Sequence, residues 1–145
     1  MLDLFAGSGA VGLEAASRGA SRVVAVEQNA RTAALIRSNA ASCGLAGPVT
    51  VLATGAERFL AGAAGPAEDG AFDIIWLDPP YAWDADDLDR LIAAAASTLL
   101  AADGLIAVER SARGRAPVFP AGLDSWANSY GETVVHLAQP TREHS

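Results

Sequence analysis

The chain has 145 residues, 51% hydrophobic and 19% charged, with a single cysteine; this balance excludes a disordered or fibrous protein and a small disulfide scaffold. Ten basic residues, all arginine, stand against seventeen acidic ones for a net charge of −7, which is a poor electrostatic footprint for gripping a phosphate backbone unaided. The longest apolar stretch, residues 91–102, is broken by Ser97 and Thr98 and is too short to span a membrane.

Strand-like apolar runs alternate with alanine-rich helical stretches, which predicts one α/β domain over residues 1–145 with a mainly parallel sheet. In chain order the pattern predicts a strand over 2–5, a helix over 10–18, a strand over 22–27, a helix over 31–43 and a strand over 49–53. A short helix over 57–60, a loop over 62–70 and a strand over 72–77 follow. Asp84 or Asp86 caps the next helix, which runs to about Leu100. Ala102-Asp103-Gly104 reads as a turn into a strand over 105–109. Two β-like runs, 126–130 and 133–138, meet at Gly131-Glu132 and predict an antiparallel hairpin. Cys43 reads as a small packed residue. With no signal-peptide basic region at the N-terminus, the expected location is the cytoplasm.

Gly7-Ser8-Gly9-Ala10-Val11-Gly12 is a G-x-G-x-x-G between a strand and a helix, and Glu27 ends the next strand. Glycines permit a tight turn and close backbone approach, the helix start offers free N–H groups, and a carboxylate at that distance accepts ribose hydroxyl hydrogens. The pattern fits NAD as well as S-adenosylmethionine. Asp3, within the first strand, would repel a pyrophosphate but pairs well with the amino group of a methionine moiety.

At the end of the fourth strand stands Asp78-Pro79-Pro80-Tyr81, on the rim where open α/β sheets bind ligands. Two prolines fix φ and remove two donors, so the turn presents rigid acceptors, the Asp78 carboxylate and the Pro79 carbonyl. A planar exocyclic amine matches such a pair, and Tyr81 supplies a face for stacking. Transfer of a methyl group to that amine needs its lone pair aimed and the growing positive charge stabilised, which two acceptors accomplish.

The run Leu2-Asp3-Leu4-Phe5-Ala6-Gly7-Ser8-Gly9-Ala10-Val11-Gly12-Leu13-Glu14-Ala15-Ala16-Ser17-Arg18-Gly19-Ala20, with Val26-Glu27, Leu77-Asp78-Pro79-Pro80-Tyr81 and Tyr130-Gly131-Glu132-Thr133, resembles the RsmD family of bacterial 16S rRNA guanine-N2 methyltransferases. The resemblance covers essentially the whole chain. It implies a Rossmann-like methyltransferase fold, a seven-stranded mainly parallel sheet with an antiparallel C-terminal hairpin. It implies S-adenosylmethionine held by Asp3, Ala6, Gly7, Ser8, Gly9, Glu27, Gln28, Ala56 and Asp78, and catalysis by Asp78, Pro79, Pro80 and Tyr81 on N2 of guanine 966 in the small-subunit RNA, with no metal. The expected partner is 16S rRNA or a small-subunit particle.

Two departures accompany the resemblance. Where many methyltransferases place an acid after the third strand, this chain has Thr54-Gly55-Ala56 before Glu57, so the adenine amine would meet backbone. Family members also carry a basic segment ahead of the glycine motif, and the chain is expected to start after it. Arg110, Arg113 and Arg115 are candidate phosphate contacts; Asp84, Asp86, Asp87 and Asp89 read as helix capping and dipole complementarity rather than metal ligands. Neither His136 nor His144 has a partner that suggests catalysis. Rival readings are an adenine-N6 or cytosine-N4 amino-methyltransferase acting on DNA or RNA, an NAD-dependent oxidoreductase, and a cofactor-binding remnant without turnover.

Overall fold

The computed structural model describes residues 1–62 and 72–142. Most of the loop expected over 62–70, and His144, lie outside the described residues. The chain divides into two compact units, Met1–Pro66 and Ala67–Ser145.

The first unit contains β1 (Leu2–Asp3), α1 (Ala10–Ser17), β2 (Val23–Val26), α2 (Ala30–Ser42), β3 (Val49–Leu52) and α3 (Ala56–Leu60). Its strands pair in parallel in the order β3-β2-β1, with Leu2 opposite Val24 and Val23 opposite Val49. Every residue of β2 is buried, as a parallel strand covered on both faces requires. Ala33, Ile36 and Ala40 of α2 recur at helical spacing and pack with Val23, Ala25, Val49 and Val51. Asn29 starts α2 by accepting the Thr32 N–H at 3.0 Å.

β1 is shorter than the sequence predicts. Asp3 turns its side chain back to accept the Phe5 N–H at 3.2 Å, a local alternative to the ladder typical of aspartate. Cys43, expected inside, caps the end of α2 and is exposed.

The second unit contains β4 (Phe72–Leu77), α4 (Ala85–Thr98), β5 (Leu100–Ser111), β6 (Leu123–Tyr130) and β7 (Thr133–Pro140). β4 and β5 run parallel, while β7 lies antiparallel to both β5 and β6. The expected hairpin forms, closed by Tyr130 opposite Thr133. Asp84 caps α4 by accepting the N–H groups of Asp86 and Asp87 at 3.0 Å, and Leu88, Leu91, Ile92 and Ala95 form its buried stripe.

The turn expected at Ala102-Asp103-Gly104 is instead an irregularity inside one long strand. Between Phe72 and Ile74 the partner on β5 advances from Leu100 to Leu105, so the intervening residues bulge out and pairing resumes. A Cβ on Gly104 would come within 2.9 Å of the Ala101 carbonyl oxygen, which explains why glycine stands there. Among the described residues no helix is long and apolar enough to cross a membrane.

Candidate active site

In the first unit the glycine turn joins β1 to α1. Gly7 and Gly9 have φ of 55° and 80°, values open to glycine and costly for other residues. A Cβ on Gly9 would lie 2.8 Å from Ile36 Cγ2, and one on Gly12 would lie 2.9 Å from Val23 Cγ1. The second and third glycines therefore set how closely the turn and α1 approach α2 and β2. The first does something different: among the described residues nothing lies within 4 Å of where its Cβ would be, so no described neighbour fills that side of the turn.

Glu27 organises this turn. Its Oε1 accepts the Gly7 N–H at 3.1 Å and its Oε2 accepts the Asn29 N–H at 2.7 Å. One carboxylate thus ties the β1–α1 turn to the start of α2, and each oxygen keeps lone-pair capacity for a ligand hydroxyl. Asp3 is 1% exposed and orients the backbone at Phe5. Ser8 Oγ accepts the Ala10 N–H at 3.4 Å, while Gly9 starts α1 without a side-chain cap, leaving the helix end open to an outside acceptor.

Gln28 reaches the loop after β3, where its Oε1 would be 3.7 Å from a Cβ on Gly55. Ala56 is buried as the first residue of α3, and next to Gly55 the Thr54 Oγ1 is buried without a hydrogen-bond partner among the described residues. An orphaned hydroxyl, an open glycine and an uncapped helix start fit a ligand carrying hydroxyl, amine and carboxylate groups. Of the expected cofactor residues, Asp3, Ala6, Gly7, Ser8, Gly9, Glu27, Gln28 and Ala56 belong to this unit.

In the second unit Asp78 to Tyr81 leave the end of β4. The Trp83 N–H bonds the Pro80 carbonyl at 3.0 Å, and Tyr81 is 80% exposed. Arg110 Nη1 donates to the carbonyls of Pro79 at 3.5 Å and Pro80 at 3.3 Å. Sequence reading offered Pro79 as an acceptor for the amine and Arg110 as a phosphate contact; the structure joins them to each other. Arg113 pairs with Glu132 at 3.1 Å, and Arg115 pairs with Asp86 and Asp89 at 3.0 Å. Each arginine of this group already has an internal acceptor.

One residue of the site was not singled out from the sequence. Leu77 of β4 lies opposite Val108 of β5, so the next residues, Asp78 and Glu109, are neighbours, and their carboxyl groups are hydrogen-bonded. Asp78, Pro79, Tyr81, Glu109, Arg110 and Thr133 line a recess of about 20 Å³, room for roughly one water or an amino group. The available signal was the acid ending an apolar strand, Leu105 to Glu109.

Loss of hydration raises the Asp78 pKa above 3.8, opposed by the Glu109 hydrogen bond and the Arg110 charge. Glu109 is raised above 4.5 by burial, then by the Asp78 charge and their hydrogen bond. His136 moves below 6.5 through burial and the Arg110 charge. Carboxyls raised in the folded state stabilise it below their unfolded pKa and lose that contribution as pH rises through the folded value. A D78N/E109Q variant should therefore lose less stability than the parent between about pH 4 and neutrality, read as urea midpoints. Parallel pH curves for the two proteins would contradict the shifts. His136 acts oppositely, its contribution fading as pH falls, and is the same in both proteins.

A family model described as "Conserved hypothetical protein 95" matches residues 1–139. The chain is 40% identical over 80 residues to "Putative rRNA methyltransferase YlbH" of Bacillus subtilis, an alignment covering 55% of this chain and 42% of that relative. Among solved structures it resembles "Putative methyltransferase yhhF" from Escherichia coli, with a TM-score of 0.84 and 30% identity over 98% of this chain and 77% of the other. A conserved hypothetical protein of Streptococcus pyogenes gives a TM-score of 0.80 and 33% identity, covering 99% and 87%. The expected seven-stranded, mainly parallel Rossmann-like methyltransferase fold is thereby borne out. With the glycine turn, Glu27 and the Asp-Pro-Pro-Tyr turn in place within a match running from residue 1 to 139, the chain belongs to the conserved hypothetical protein 95 family, the RsmD-like family that its motifs resemble.

Proposed function

We propose that the chain is an S-adenosylmethionine-dependent methyltransferase acting on the exocyclic N2 amine of a guanine in 16S rRNA, presented in the cytoplasm by a small-subunit particle. The observation that carries this reading is the Asp78-Pro79-Pro80-Tyr81 turn, with the Asp78 carboxyl beside a recess of amino-group size and an exposed tyrosine ring. The rRNA methyltransferase name of the Bacillus subtilis relative supports the substrate class. Both units serve one catalytic domain in this reading.

Asp3, Ala6, Gly7, Ser8, Gly9, Glu27, Gln28 and Ala56 would hold the cofactor, and Asp78 is proposed to bind it as well. S-adenosylmethionine supplies, when bound, an electrophilic methyl group on a sulfonium. Glu27 accepts from the ribose hydroxyls, and the buried Asp3 favours the ammonium of the methionine moiety. Asp78 accepts an N–H of the amine, which aims the nitrogen lone pair and offsets the positive charge that grows there. Pro79 and Pro80 keep the turn rigid, Arg110 ties their carbonyls to β5, and Tyr81 stacks on the base.

Calorimetric titration with S-adenosylmethionine and separately with NAD tests the cofactor, and methyl incorporation into small-subunit particles tests the reaction. Saturable binding of the former alone is expected. Glu27→Gln should abolish it, because an amide presents N–H to one of the two backbone N–H groups that Glu27 now accepts. Binding of NAD alone, or unchanged affinity in the variant, would overturn the assignment.

A further inference from the structure

The structure assigns to Glu109 the choice of base: with Asp78 it offers the recess two outward acceptors, matched to the adjacent N1–H and N2–H donors of guanine. This inference rests on the proposed amine-methylating reading and concerns the same site.

The carboxyls of Asp78 and Glu109 are bonded to each other, and both line the recess. Each carboxyl has two oxygens, so with one engaged between the residues the pair keeps one acceptor from each for the recess. Neither side chain makes another hydrogen bond among the described residues. The other groups at this place are Arg110, Tyr81 and Thr133 around the recess, and His136, which feels the Arg110 charge. Arg110 supplies positive charge beside Asp78.

The three amine-bearing bases differ in the atom next to the ring carbon that carries the amine. Guanine has a protonated N1 there, a second donor; adenine and cytosine have an unprotonated ring nitrogen, an acceptor. Two acceptors side by side satisfy guanine. Against adenine or cytosine, one of them would face a lone pair. The recess has room for an amino group and not for a ring, so discrimination falls on the base edge while the ring lies along Tyr81.

The test is a competition on the full chain with short single-stranded RNA oligomers. A uridine oligomer carrying one 2-aminopurine reports binding by fluorescence, and otherwise identical oligomers carrying one guanine, adenine or cytosine displace it. For the parent, guanine should compete about tenfold better than the other two, the low end of a bidentate base contact. E109Q should keep this preference, since its amide donates to Asp78 and its carbonyl remains outward. E109L, with a cooperative thermal melt to show that it folds, should bring the three oligomers within about twofold. Equal competition by the three bases in the parent, persistence of the preference in E109L, or loss in E109Q as complete as in E109L would each overturn the assignment. If the parent discriminates poorly yet methylates particles, only the Glu109 role fails. If it binds no oligomer and transfers no methyl group, the amine-methylating reading fails and this inference with it.

Discussion

Replacing Asp78 by alanine is expected to lower the turnover rate of methyl transfer about a hundred- to a thousandfold, the range found when one preorganised group stabilising transition-state charge is removed. The reason lies in how the acceptors of the turn are committed. The carbonyls of Pro79 and Pro80 both accept from Arg110, which leaves Asp78 as the acceptor of the turn not engaged by that arginine's hydrogen bonds. Charge on the amine nitrogen grows only as the new bond forms, so the loss should appear in kcat more than in KM. Asp78 is exposed at the surface of its turn, and the variant should therefore fold, with S-adenosylmethionine binding still measurable by calorimetry. Removal of Asp78 also takes from Glu109 both of the Asp78 influences that raise its proton affinity. Single-turnover methylation within threefold of the parent would show that the turn is a structural cap and not the acceptor site.

Residues close in sequence were the legible part of this protein. The G-x-G-x-x-G motif announced its turn because a positive φ at Gly7 and Gly9 is a local demand, while the close packing of Gly9 on Ile36 and Gly12 on Val23 is supplied by the fold. The 72–77 strand and the Asp84 cap were readable for the same reason, since apolar runs and capping residues act within a few positions. Glu109 was not, because its partner lies 31 residues away and becomes adjacent only through the β4–β5 register. The bulge in β5 escaped as well. Ala102-Asp103-Gly104 has the composition of a turn, and only the return of Leu105 to the ladder opposite Ile74 makes it an interruption within one strand. The arginines after β5 looked available for phosphate, and it took the fold to bring Glu132, Asp86 and Asp89 within reach of Arg113 and Arg115.

The second large effect is expected on stability, from Gly9→Ala. At φ 80° an alanine carries a backbone penalty of about 1–2 kcal/mol. Its Cβ would also meet Ile36 at 2.8 Å from Cγ2 and 3.1 Å from Cγ1. Ile36 is 1% exposed among Ala33, Ala40 and the β2 and β3 valines, so it has little room to yield, and overpacking of a close-packed core adds about 1–3 kcal/mol. The sum of about 2–5 kcal/mol should lower the melting temperature by roughly 10 °C, at a few degrees per kcal/mol for a chain of this size. Because Gly9 N bonds the Ala6 carbonyl at 2.8 Å and its own carbonyl accepts Leu13 N at 2.9 Å, relief by backbone movement would displace the start of α1, and cofactor binding should weaken with it. Ile36→Ala separates the two causes. It removes both clashing carbons and leaves the φ penalty untouched, so the double variant should be more stable than additivity allows by about 1–3 kcal/mol. Strict additivity would place the whole cost in the backbone of the turn and none in its approach to α2.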